Sequence, residues 1–147
     1  MSIRIAVAIT LLAGPIAASS ATPKKEEPKV ALTAAQKQDY TKVIQPIFDA
    51  NCISCHGAKK VKGKLRLDTL EATLKGGKNP TFTIGKPDDS MLLARVFLER
   101  TAGDVMPPKA ERPLTKEQKE AIYAFIEGQP IPAELAKAAL AATKTKK

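Results

Sequence analysis

Cys52, Cys55 and His56 fall within five consecutive residues, Cys-Ile-Ser-Cys-His, and are the only cysteines and the only histidine of this 147-residue chain. Two thiols three positions apart lie on nearly one face of a helical turn. That spacing suits thioether bonds to the two vinyl groups on one side of a porphyrin, with the adjoining imidazole reaching the iron as proximal ligand. The pattern predicts one covalent haem c, attached through Cys52 and Cys55, with His56 on the metal. Other uses of these residues fit less well. A redox dithiol normally accompanies a βαβ pattern, which the sequence lacks. Zinc takes four Cys, His or carboxylate ligands, and iron–sulfur clusters usually take four thiolates.

A second axial ligand cannot be another histidine of the same chain. Met91 and Met106 are the soft candidates, since Met1 belongs to a leader. Met91 sits in the first turn of a predicted helix, where methionine is usually core filler. Met106 lies between two predicted helices and precedes Pro107-Pro108, whose fixed dihedrals stiffen the loop. Met106 is therefore the expected distal ligand. The alternative is a packing methionine, with the iron five-coordinate or bound by a lysine.

The N-terminus leads to the expectation of a site outside the cytoplasm. Met1–Arg4 is a short positive start, Ile5–Leu12 an apolar run broken by Gly14-Pro15, and 17–21 a small-residue stretch. This reads as a secretory signal over 1–21, cut after Ala21 or at Ala18 or Ser20, and too short for a membrane span. The expected location is periplasmic or otherwise extracytoplasmic, with no stable membrane insertion after cleavage. Residues 22–32 read as a polar linker, 33–130 as one domain and 131–147 as an Ala/Lys-rich tail.

The formal charge is +9, and 1–21 contribute only Arg4, which leaves +8. Such a balance favours redox partner proteins with acidic docking surfaces. Nucleic acid is not expected, because the charges lack interleaved aromatics for base stacking. Aromatics are 4% with no Trp, a thin core that a buried porphyrin would complete.

The elements read as all-α. Thr33 caps a helix to about Ala50, with Val43, Ile44, Ile47 and Phe48 on its apolar face and a kink or restart at Pro46. A loop with Lys59, Lys60, Lys62 and Lys64 follows the motif. A short helix begins at Asp68 or Thr69 and ends at Gly76-Gly77. Another runs from Pro87 to about Arg100, with Leu92, Leu93, Val96 and Phe97 partly buried. Thr115-Lys-Glu-Gln118 is a capping box, and its helix buries Ile122, Phe125 and Ile126 before Gly128 and Pro130 stop it. Pro132 begins a last, weakly amphipathic Ala-rich helix to about Ala142 that is expected to fray.

In order, the pieces are Pro46-Ile47, Cys52-Ile-Ser-Cys-His-Gly57, Lys62-Gly-Lys-Leu-Arg-Leu-Asp68, Gly76-Gly77, Gly85-Lys-Pro-Asp-Asp-Ser-Met-Leu-Leu-Ala-Arg95, Met106-Pro-Pro-Lys109 and Leu114-Thr-Lys-Glu-Gln118. Together they resemble the planctomycete-type cytochrome c domain, a branch of the small class I-like c-type cytochromes, over about 43–128. The resemblance implies a small cytochrome c-like helical bundle around one covalently bound haem, thioethers at Cys52 and Cys55, proximal His56 and distal Met106. The family's last helix commonly carries Trp where this chain has Phe125. Arg66 and Arg95 also match the pattern. One is expected at a haem propionate; otherwise each forms a surface salt bridge with Asp68 or Glu99. The second ring nitrogen of His56 is expected on a backbone carbonyl from the 79–84 loop.

The expected function is that of a mono-haem c-type cytochrome, a one-electron carrier and not an enzyme, with Lys59, Lys60, Lys62 and Lys64 steering an acidic partner. The alternatives are a fixed haem-carrying subunit of a larger dehydrogenase complex, with the Ala-rich tail as docking helix, or a haem enzyme or gas sensor with an open iron site.

Overall fold

Thr33 opens the first helix of the computed structural model, which describes residues 32–144. The predicted leader and residues 22–31 of the linker lie outside the described residues. The Thr33 hydroxyl accepts from the Gln36 N–H at 3.2 Å, and Gln36 Oε1 accepts from the Thr33 N–H at 2.9 Å. Helix α1 (Ala34–Asp39) passes through a π-helical turn (Tyr40–Ile44) into α2 (Gln45–Asn51). Pro46 explains the change of winding. It has no N–H for the ladder, and the Gln45 N–H reaches back five residues to the Tyr40 carbonyl. The expected restart at Pro46 is this π turn.

Helix α3 (Ile53–His56) follows at once, and a 3₁₀ turn (Lys62–Lys64) leads to α4 (Leu70–Lys75), capped by the Thr69 hydroxyl. A second 3₁₀ turn (Pro87–Asp89) precedes α5 (Met91–Val96), capped by Ser90. The Thr115/Gln118 capping box opens α6 (Lys116–Glu127), which Gly128 ends at φ 86°, a left-handed conformation that suits glycine. Helix α7 (Ala133–Lys144) closes the described chain. No strand occurs among the described residues, only two isolated β-bridges. The all-α reading holds.

Two elements differ from expectation. Helix α5 stops at Val96 instead of running to Arg100, because the Arg95 carbonyl, which the next turn would have used, accepts from the Met106 N–H at 3.0 Å. Phe97, past that end, is 50% exposed, with its ring edge-on to Tyr123 and Lys119 Nζ 5.4 Å from its centroid. The Ala-rich helix is packed, not frayed. Its small side chains let α7 lie close against α6 and α2, with Ala139 fully buried and its carbonyl accepting from Gln118 Nε2 at 3.4 Å.

The core forms where the first helical stretch meets α6. Ile44, Ile47 and Phe48 from the first helical stretch and Ile122, Phe125 and Ile126 from α6 are all at most 1% exposed. Each such burial contributes about 1.5–3 kcal/mol. The Phe125 ring packs 5.7 Å from Tyr40 and 5.8 Å from Phe82, and Tyr40 lies 6.2 Å from Phe48.

Tyr40 also carries a buried polar link. Its hydroxyl lies 2.8 Å from Thr73 Oγ1, whose single proton goes to the Thr69 carbonyl at 2.8 Å, so Tyr40 is the donor. Burial, reinforced by the carboxylates of Asp49 and Glu71, pushes the phenol up to about 12. An unfolded tyrosine ionises near pH ~10. The folded value is the higher one, so this stabilisation is complete below pH ~10 and is lost as pH rises through the folded value. Tyr40→Phe is expected to cost about 1 kcal/mol near neutral pH. It should also remove Tyr40's share of the alkaline loss of stability, which urea unfolding across that pH range would reveal.

Candidate functional site

Cys52 turns the backbone between α2 and α3 at φ −125°, ψ −40°. Its carbonyl accepts from the Cys55 N–H at 3.1 Å and the His56 N–H at 2.9 Å, which winds the motif into one tight turn. Gly57 permits the exit, since a Cβ there would sit 2.5 Å from the Ile53 carbonyl oxygen. The chain then doubles back. His56 pairs with Val61 in a β-bridge, and its carbonyl accepts from the Leu67 N–H at 2.8 Å.

His56 Nδ1 lies 3.0 Å from the Lys62 carbonyl. A carbonyl only accepts, so Nδ1 carries a proton, and in the neutral imidazole Nε2 is the nitrogen with the free lone pair. The anticipated backbone partner of His56 is therefore present, but Lys62 supplies it and the 79–84 loop does not. The Lys62–Lys64 turn returns the backbone to the ring long before that loop is reached.

Cys52 and His56 line a cleft of about 300 Å³, a size found for small-molecule and cofactor sites. Met106 lines it too, together with apolar groups that include Leu65, Leu67, Leu92, Val96 and Pro107. The bond from the Met106 N–H to Arg95 ties the methionine's loop to α5. Met91 also lines the cleft and, contrary to a core role, is 38% exposed. Cys55 is half-buried and outside this lining, and the two cysteines are not joined by a disulfide.

The two arginines occupy different surroundings. Arg66 forks onto Asp68, with Nε–Oδ1 at 2.9 Å and Nη2–Oδ2 at 2.6 Å, and does not line the cleft. The hydrogen bond from Arg66 holds the Asp68 carboxyl below the usual carboxylate range. Arg95 lines the cleft and pairs at 2.5 Å with Asp104, another lining residue. Lys59, Lys60, Lys62 and Lys64 are all exposed, but only Lys62 of the four borders the cleft, where Lys78 joins it.

Sequence reasoning missed Thr81. Leu92 N–H and Ser90 Oγ hold its carbonyl at 2.9 and 3.3 Å, which fixes it beside the start of α5. Thr81 lines the cleft, and its hydroxyl is buried without a hydrogen-bond partner. An orphaned buried hydroxyl costs about 1–3 kcal/mol. Its placement fits a ligand that brings its own acceptor. An apolar cleft offering a thiol, an imidazole lone pair, a thioether and one unpaired hydroxyl fits haem. Nothing in the Thr81 context, a loop of Asn, Pro and Thr, distinguishes it from ordinary turn residues.

The family model described as Planctomycete cytochrome C matches residues 52–110, from the first cysteine to just past the Met-Pro-Pro loop. No curated protein and no solved structure matches the chain. The cytochrome c family implies haem c, and the two cysteines it needs are Cys52 and Cys55. With their motif turn set in a helical bundle, residues 52–110 are thus similar to the Planctomycete cytochrome C family.

Proposed function

We propose that the chain is a mono-haem c-type cytochrome that passes single electrons between protein partners outside the cytoplasm. The observation that carries this reading is the shared cleft of Cys52, His56 and Met106, with the bond from His56 Nδ1 to the Lys62 carbonyl making Nε2 the nitrogen available to a metal in the neutral ring. Haem c supplies a one-electron Fe(II)/Fe(III) couple. Cys52 and Cys55 would hold it covalently, His56 and Met106 would be its axial ligands, and the apolar wall would exclude water from it.

The extracytoplasmic location rests on the leader read in 1–21 and on the habit of the cytochrome c family. Among the described residues no helix is long and apolar enough to cross a membrane. Lys62 and Lys78 at the rim, with Lys59, Lys60 and Lys64 nearby in sequence, would favour an acidic redox partner. The reading as a fixed subunit draws no support from α7, whose buried Ala139 face is used within the bundle.

The test is the matured protein's visible spectrum. Pigment should resist acid–acetone extraction, the oxidised form should show the far-red Met–Fe(III) absorption, and the reduced form should bind carbon monoxide poorly. Met106→Ala should abolish that absorption, admit carbon monoxide and lower the reduction potential. Pigment that extracts, or a wild-type protein that takes up carbon monoxide at once, refutes the reading. Electron transfer to an acidic partner should also slow by about tenfold or more between low and high salt.

Thr81→Val offers a test that turns on sign. If the hydroxyl meets a haem carboxylate, the variant holoprotein should be less stable to denaturant by about 1–3 kcal/mol. A neutral or stabilising effect would mean that the hydroxyl is unpaired in the loaded protein as well.

A further inference from the structure

Arg100 belongs neither to α5 nor to the cleft wall, yet its guanidinium is heavily used. Nη1 donates to the Pro107 carbonyl at 2.7 Å, and Nη2 lies 3.2 Å from the Pro108, 3.0 Å from the Lys109 and 3.0 Å from the Glu111 carbonyl oxygens. The loop after Met106 has particular need of such a donor. Pro107 and Pro108 have no N–H, so beyond the bond from the Glu111 N–H to the Pro108 carbonyl at 2.8 Å this stretch has few backbone donors, and its carbonyls converge on a single cation. On the other side of Met106, the methionine's own N–H is held by the Arg95 carbonyl at 3.0 Å. The thioether is thus presented from a backbone fastened on both flanks. One fastening comes from the end of α5 and the other from a side chain four residues past it.

We propose that Arg100 is the positioning residue for the distal ligand: its fork on the Pro107–Glu111 carbonyls keeps the Met106 sulfur at the cleft. This rests on the reading of Met106 as an axial ligand. Lysine cannot replace the planar fork, because its ammonium is a point charge without the spread of guanidinium donors. A merely structural arginine would change global stability alone. A positioning arginine changes how readily Met106 gives way to another ligand.

The experiment uses the oxidised holoprotein and imidazole, which binds the iron only when Met106 leaves. Arg100→Ala should accelerate imidazole binding by about tenfold, the equivalent of one net charge-assisted hydrogen bond, and weaken the far-red Met–Fe(III) absorption. Arg100→Lys should shift both readouts in the same direction by less, and it carries the test if the alanine variant does not accumulate as holoprotein. Gln118→Ala, which loses the buried bond to Ala139 in a different part of the bundle, should lower thermal stability without accelerating imidazole. Unchanged imidazole kinetics in the Arg100 variants overturn the proposal, as does equal acceleration in Gln118→Ala. A wild-type protein without the far-red absorption overturns instead the assignment of Met106 on which the proposal rests.

Discussion

The ring of Phe125 is the contact on which the rest of the molecule depends. It touches Tyr40 from the π turn and Phe82 from the loop ahead of α5, at centroid distances of 5.7 and 5.8 Å. One side chain thus joins the first helical stretch, the last third of the chain and a wall segment of the cleft. In a chain without tryptophan no larger ring is available for this post. Truncating a buried phenylalanine costs about 3–5 kcal/mol, a large part of the total stability of a domain this size. Because Phe82 adjoins Thr81, the same seam also sets where the unpaired hydroxyl sits.

The cleft wall itself is mostly irregular backbone, and irregular backbone does not hold an open space unless it is pinned. Here the pins run in sequence. Leu67 N–H bonds His56, Lys78 N–H bonds Gly63, Leu92 N–H bonds Thr81 and Met106 N–H bonds Arg95. Each loop is fastened to the segment that precedes it, so the wall is assembled stepwise from 56 to 106. Each such bond contributes only about 0.5–1.5 kcal/mol net. The wall therefore relies on their number and on the helices behind it. The helices make the scaffold and the loops make the site, as is common where binding residues sit between rigid elements.

Much of this was legible in the sequence wherever a side-chain type carries its own local chemistry. The Thr33 cap, the Thr115/Gln118 capping box, the restart at Pro46, the apolar faces of α2 and α6 and the placement of Met106 in a proline-stiffened loop all follow from short-range rules. What the sequence hid is backbone. The carbonyl that fixes the His56 tautomer belongs to Lys62, and peptide carbonyls have no residue-type signature. The early end of α5 depends on a carbonyl taken by a residue eleven positions later. Helix α7 looked poorly amphipathic because alanine is weakly hydrophobic. Its smallness, which permits close approach, is what seats it.

The two candidate arginines show how pairing already present in the fold limits what a side chain can do next. Arg66 gives both ends of its fork to an Asp68 whose side chain is only 19% exposed. Releasing that pair would strand a half-buried carboxylate, which is costly. Arg95 is paired instead with an Asp104 whose side chain is 76% exposed. That carboxylate can turn into water with little loss, since exposed pairs contribute at most about 1 kcal/mol. On the proposed function, a haem propionate would compete more easily for Arg95 than for Arg66. Arg95 also borders the cleft, whose lining includes Thr81 with its unpaired hydroxyl. A propionate at Arg95 would replace a solvent-exposed partner with one in the cleft, and the buried, unpaired Thr81 hydroxyl could then accept a second role toward the same group.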